Sequence, residues 1–326
     1  FFWLSILYFG WTIFQIPYLS IGYDLEKNFF QRTKLSASRE FFILLGLFCS
    51  LGLPMIFELS NHDLLKNIVY LAIFFGLIGL SIFCIFIPNE IKKKSRKVNF
   101  FKTLKNLKNN KPLIKILVVL TINSFANVFP MILFAFFITY VLGGDDQNRQ
   151  ITLFYYFLFS LVSVPFWTKL SKRLGKKESW TISLFLSAVF FILVFFLNFG
   201  DFTLFILVSC ITGFCLGADL IFPPSIYADL NDIHREKFKE DISGIIFSLT
   251  TFINKISFAI VSIVVFGVLG ILGFDSEKPI SFEIKTFIII SYALIPILLK
   301  ILSGCILTKF KFDEIDLQKV QKKLYT

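Results

Sequence analysis

Ionisable and amide side chains set inside long apolar runs are the residues of this sequence that can do chemistry. An isolated charge at the centre of a bilayer costs ~2.5–3.5 kcal/mol, so it needs an opposite charge, a water-filled cavity or both. Asp219 and Lys255 stand out on this ground. Lys255 falls ~18 Å into the run over 243–271, and Asp219 falls ~15 Å from the end of the run over 203–228, at about 1.5 Å per helical residue. The two runs are consecutive, so their helices are antiparallel and the depths nearly match. An intramembrane ion pair Asp219–Lys255 is therefore expected, either lining a cavity or serving only as a link between neighbouring helices. Lys300 sits nearer the end of its run and reads as a side chain that snorkels to the surface.

Uncharged polar residues form faces around these charges. Ser248, Thr251, Lys255 and Ser262 share one side of their run, and Asn123 and Asn127 fall at i, i+4 with Pro130 one turn on. Tyr8, Thr12, Gln15 and Tyr18 make another stripe. A polar stripe on an apolar helix faces the bundle interior. Each hydroxyl alone reads as interhelical glue, while stripes on several helices together point to an aqueous cavity. Such a cavity binds a polar solute; no residue set here points to bond-breaking chemistry.

Other chemistries lack their residues. The two histidines, His62 and His234, fall in opposite loops, so no His-based metal site is expected. The five cysteines (Cys49, Cys84, Cys210, Cys215, Cys305) lie in apolar runs without metal-ligand spacing and read as small buried hydrophobes. There is no Walker A sequence and no Gly-rich phosphate loop. Gly213 and Gly217 make a GxxxG, a signal for close helix packing.

The elements that must position these residues follow from composition. Of 326 residues, 56% are hydrophobic and only 17% charged, and 45 are Phe. Soluble domains carry ~25% charged residues. This balance excludes a soluble enzyme, a disordered regulator and a secreted disulfide scaffold, and indicates an all-α polytopic membrane protein. Nine runs are long enough to span a bilayer as helices: 1–23, 40–59, 67–88, 113–142, 150–169, 179–198, 203–228, 243–271 and 285–307. The connecting segments alternate in charge. Of the 33 Lys and Arg, 26 fall in 24–38, 89–115, 168–178, 229–242 and 308–326, and only 4 in the opposite set. Basic loops are cytoplasmic, so the C-terminus is expected inside. The chain opens within an apolar run and lacks an initiator Met, and an odd helix count places its start outside. Three preceding helices are therefore expected.

The organisation reads as three helices over 1–88, a basic cytoplasmic linker over 89–112, six helices over 113–307 and a cytoplasmic tail over 308–326. In the linker, Phe100, Phe101, Leu104 and Leu107 alternate with lysines at helical spacing. That pattern suits either a helix lying on the inner leaflet or a solvated connection.

Two stretches carry a resemblance. One runs Gln15-Ile16-Pro17-Tyr18-Leu19 to Asp24-Leu25, then Gln31-Arg32-Thr33-Lys34-Leu35 to Arg39-Glu40-Phe41-Phe42. The other runs Gly213-Phe214-Cys215-Leu216-Gly217-Ala218, Pro223-Pro224-Ser225, Ala228-Asp229, Asp232, Gly244 and Lys255. Together they resemble the glycoside–pentoside–hexuronide:cation symporters, the melibiose permease-like family of the major facilitator superfamily. The resemblance implies a major facilitator fold of twelve helices, of which this chain holds helices 4–12. It implies cation-coupled symport of a sugar or glycoside, with Na⁺ or H⁺ as the coupling cation and no other cofactor. By position it implies substrate contacts from Gln15, Tyr18, Leu19, Arg39, Asn123, Asn127 and Lys255. Gln15 stands where sugar-transporting members carry an Asp, and Leu19 where melibiose permease has a stacking Trp.

Alternating access would rock two halves about a midplane site. On the cytoplasmic side Arg32 and Lys34 face a segment holding Asp229 and Asp232, and these four form an expected gate; Glu236, Glu240 and Asp241 read as solvated. The expected partners are a small sugar-like solute and membrane lipids, not nucleic acid, with the chain a monomer in the cytoplasmic (inner) membrane. Two alternatives stand beside this reading: the same fold carrying a non-sugar solute such as a lysolipid, and a truncated relative that transports nothing.

Overall fold

The computed structural model describes residues 2–26, 28–57, 61–86, 106–107, 109–310 and 320. Apart from 106–107 and 109–112, the expected linker over 89–112 lies outside the described residues, as does the tail beyond 310 except residue 320. Among the described residues the chain is helical with no strand. The helices are α1 Phe2–Leu25, α2 Phe29–Phe57, α3 Asn61–Phe86, α4 Lys111–Phe136, α5 Asp146–Leu174, α6 Lys176–Ile192, α7 Phe202–Phe238, α8 Ser243–Ile271, α9 Phe282–Ile289 and α10 Ile295–Thr308. Turns of π-helix extend α4 over Phe137–Leu142 and join α9 to α10 over Ile290–Leu294. The helices follow the order of the nine expected spans. Among the described residues, seven of the spans they build are long and apolar enough to cross a membrane. In α2, Arg32, Lys34, Arg39 and Glu40 crowd the first turns.

Local chemistry sets several helix starts. The Asn110 side chain accepts from the Leu113 amide at 3.3 Å, with Pro112 in the first turn of α4. Asp145 accepts from the Asn148 amide at 2.9 Å ahead of α5, and Ser281 accepts from the Ile284 amide at 3.3 Å ahead of α9. Each side chain satisfies an amide that the helix itself leaves unpaired. Gly175, at φ 93°, is the entire connection between α5 and α6, so the loop expected over 168–178 shrinks to one residue.

Two apolar clusters form the core. One, nearer the basic loops, gathers Leu113, Ile116, Trp167, Trp180, Leu184, Phe222 and Ile246, with Ala37 and Leu44 of α2. Leu107 is also buried there, so its side chain neither lies on a leaflet nor faces water. The other cluster surrounds the two π turns, where Phe137 stacks on Tyr292 with ring centroids 4.4 Å apart. The first three helices meet the rest through α2, packed on α5 and α7, and through α1, packed on α8.

The structure moves one boundary that matters. The apolar run ends at 228, yet α7 continues to Phe238, so Asp229 and Asp232 are helical rather than loop residues. Their side chains are fully buried between helices and held there by ion pairs.

The GxxxG is a contact point between α5 and α7. A Cβ on Gly213 would stand 2.2 Å from the Tyr156 backbone oxygen, and one on Gly217 would stand 3.0 Å from the Ser160 oxygen. A Cβ on Gly267 would meet nothing within 4 Å. Overpacking of this kind costs roughly 1–3 kcal/mol. Gly213→Ala should therefore lower the thermal unfolding midpoint in detergent by several degrees, whereas Gly267→Ala should leave it within about one degree.

Candidate functional site

Among the described residues, three polar assemblies between the helices gather most of the charged and amide side chains singled out above. The first is at the basic end, where α2 begins, α7 finishes and α5 turns into α6. Arg32 Nη1 donates to Asp229 Oδ1 at 3.1 Å and to Asp232 Oδ2 at 2.7 Å, while its Nε donates to the Glu26 carbonyl at 2.9 Å. Lys176 Nζ donates to the other Asp229 oxygen at 2.5 Å. All four side chains are 2% exposed or less. Asp229 and Asp232 share a face of α7 because they are three residues apart. Lys176 opens α6, where the helix dipole disfavours a cation, so the carboxylate is what makes its burial tolerable. Thr33 and Ser225 hydroxyls meet at 3.1 Å beside the cluster and are likewise buried.

The second assembly is inside the last six spans. Asp219 on α7 accepts from Trp180 Nε1 of α6 at 2.7 Å, from Asn127 Nδ2 of α4 at 3.3 Å and from Lys300 Nζ of α10 at 3.2 Å. Lys300 also donates to Asn123 Oδ1 at 3.4 Å. Four helices thus converge on one carboxylate. This corrects the expected Asp219–Lys255 pair. Depth along a helix matched Asp219 to Lys255, but rotation about the axis turns Asp219 inward toward α10. Lys300 is 4% exposed and does not snorkel, because its ammonium finds a carboxylate and an amide in the bundle.

The third assembly is between α1 and α8. Lys255 donates to the Thr12 hydroxyl and lies over the Tyr8 ring, 5.6 Å from its centroid. No carboxylate partner of Lys255 is found among the described residues. Gln15 lies one turn beyond Thr12 on α1 and is partly buried. Tyr18 stacks on Phe14 at 5.7 Å and meets Phe83 of α3, and Leu19 packs on the apolar core. Arg39 on α2 grips its own neighbour, donating to Glu40 Oε1 at 2.8 and 3.0 Å. The residues expected around one solute therefore divide. Lys255 meets Thr12 across the α1–α8 contact with Gln15 one turn away on α1, Asn123 and Asn127 serve the Asp219–Lys300 assembly, and Arg39 is paired on α2. Lys34, expected in the gate, is not in it. It is two residues from Arg32, so it projects from another face of α2, near the Phe30 ring.

A model of the family described as MFS/sugar transport protein matches residues 1–314. The chain belongs to this family. The glucuronide carrier protein homolog of Escherichia coli (strain K12) is 23% identical over 332 residues, covering 96% of this chain and 72% of that protein. The sodium-dependent lysophosphatidylcholine symporter 1-A of Danio rerio is 30% identical over 146 residues, covering 45% of this chain and 27% of that protein. The family and both relatives are transporters, not enzymes.

For a transporter of this family, sequence reading missed Lys176, Trp180, Lys300 and Glu40. Lys176 sits in a run of basic loop residues and carries no local sign of burial. Lys176 and Trp180 are an i, i+4 pair, so one face of α6 touches both assemblies, and that spacing was the available signal. Removing one member of a buried ion pair costs ~3–5 kcal/mol, while replacing both by apolar groups is often neutral. Lys300→Met alone should sharply lower detergent thermal stability, and Asp219→Leu with Lys300→Met should recover most of the loss.

Proposed function

We propose that this chain works as a secondary active transporter that carries a sugar or glycoside together with a cation, Na⁺ or H⁺, by alternating access. The observation that carries this reading is the buried Arg32–Asp229–Asp232–Lys176 cluster. It ties α2, from the first three helices, to α6 and α7, from the last six, at one end of the bundle. Ion pairs at a water-exposed surface contribute only ~0–1 kcal/mol, because water solvates the separated charges nearly as well. Hence these pairs close the end tightly while buried, and water entering on opening meets the same charges. That is the energetics a two-state gate requires. We assign the closed end to the cytoplasmic side, where basic loops concentrate, in an inner membrane.

The solute reading rests on Lys255. A half-buried ammonium held by a hydroxyl and an aromatic face retains capacity for an anion, and Tyr8, Thr12 and Gln15 supply the polar wall beside it. We infer an acidic sugar or glycoside, in keeping with the name of the glucuronide carrier homolog. The match to the lysophosphatidylcholine symporter favours a second reading, in which the anion on Lys255 is a lysolipid phosphate.

Two measurements test this. In proteoliposomes, Lys255→Gln should lower kcat/KM for glucuronide uptake at least tenfold while a neutral glycoside loses less; equal losses would remove the anion role, and uptake of a lysolipid alone would select the second reading. Thr33→Cys with Ser225→Cys, in a background free of the native cysteines, should crosslink on oxidation and stop uptake until reduced. Undiminished uptake by the crosslinked protein would show that this end does not open in the cycle.

A further inference from the structure

A groove of about 460 Å³ runs along the outside of the bundle between α2 and α5. Three lysines line it, Lys34 from α2 and Lys169 and Lys172 from α5, and all three are exposed. Lys172 lies 4.4 Å and Lys34 5.7 Å from the centroid of the same Phe30 ring. No carboxylate lines the groove among the described residues. The helices are antiparallel, so polarity changes in step along both. From the basic end, α2 offers Lys34 and then Phe41, and α5 offers Lys172, Lys169 and then Val164. Seven or eight residues of helix make that change over about 10–12 Å. A cationic mouth at the water boundary above an apolar trough has the polarity of a phospholipid. The mouth takes a negatively charged headgroup, and the trough takes the start of an acyl chain.

We propose that this groove is a binding site for an anionic phospholipid of the leaflet at the basic end. Basic pockets between membrane helices recognise such headgroups by charge, and the lysine stems cover the upper acyl carbons. The site draws its walls from both α2 and α5, so it exists only while these helices are together. Arg32 stands on α2 two residues from Lys34, and it holds the buried cluster with Asp229 and Asp232. A lipid in the groove therefore favours the closed basic end. This consequence rests on the transport reading above, whereas the lipid site does not.

The test is native mass spectrometry of the detergent-purified full chain titrated with phosphatidylglycerol, phosphatidylethanolamine and inorganic phosphate. Wild type should bind phosphatidylglycerol at least tenfold tighter than phosphatidylethanolamine. Lys34→Gln, Lys169→Gln and Lys172→Gln together should weaken phosphatidylglycerol about a hundredfold, since each lysine contributes about a fivefold gain. Lys111→Gln, Lys115→Gln and Lys309→Gln, exposed lysines of the same end that do not line the groove, should leave it unchanged. The proposal is overturned if the groove variant binds phosphatidylglycerol within threefold of wild type. It is also overturned if the Lys111, Lys115 and Lys309 variant loses as much, or if inorganic phosphate binds as well as the lipid. Should the groove variant not purify, Phe41→Trp gives a second readout. Its fluorescence should be quenched by phosphatidylglycerol with brominated acyl chains and restored by unlabelled phosphatidylglycerol, and the absence of quenching would equally sink the site. Each outcome is read without transport, so failure of the lipid site and failure of the transport reading remain separate results.

Discussion

A charge taken out of water has to be met by another charge or by polar groups, and in a molecule embedded in hydrocarbon this requirement ties many of the helices together. Asp219 and Asp229 lie ten residues apart on α7 and gather the helices around them. Asp219 brings α4, α6 and α10 to one point. Asp229 brings α2 and the start of α6 to another. Apolar packing fills the spaces between, but apolar side chains are as content against lipid as against each other. The polar contacts, with close approach at Gly213 and Gly217, specify which helix faces which.

The two clusters differ in what they allow. The Asp219 assembly is internal to the last six spans, and the proposed alternating access does not require its four helices to separate. The Asp229 assembly crosses between the first three helices and the last six, and its partners are long basic side chains at a helix terminus. In the proposed cycle, chemically alike ion pairs act as a rivet in one place and as a latch in the other. The difference lies in whether water can reach the charges when the helices part.

Among the described residues the first three helices pack on the rest mainly at two seams. The seam of α1 with α8 carries Lys255 and Thr12, and the seam of α2 with α5 and α7 carries the Arg32–Asp229–Asp232 cluster and the lysine-rimmed groove. A solute between α1 and α8 and a lipid between α2 and α5 would each report on the same relative position of the two groups of helices. Substrate and bilayer would then act on one equilibrium from opposite sides of the molecule.

The sequence by itself determined the class of the protein, the order of its helices and the side on which charge accumulates. Each of these follows from one-dimensional properties: the length of apolar runs, the placement of Lys and Arg, and motifs along α1, α2 and α7 that mark the family. It also made Asp229, Asp232 and Arg32 conspicuous, since acidic and basic residues on facing segments stand out in an apolar chain. Only the tertiary structure decided how the charges pair. Asp219 and Lys255 match in depth, but depth is a single coordinate. The partner of a helical side chain also depends on rotation about the axis and on which helix packs beside it. Rotation turned Asp219 toward Lys300, left Lys255 at the α1 seam and sent Lys34 to the lipid-facing groove. The burial of Lys176, in a segment that reads as a solvated basic loop, has the same origin. Its carboxylate partner arrives from a helix more than fifty residues away, and the i, i+4 spacing to Trp180 marks a shared face without naming that partner.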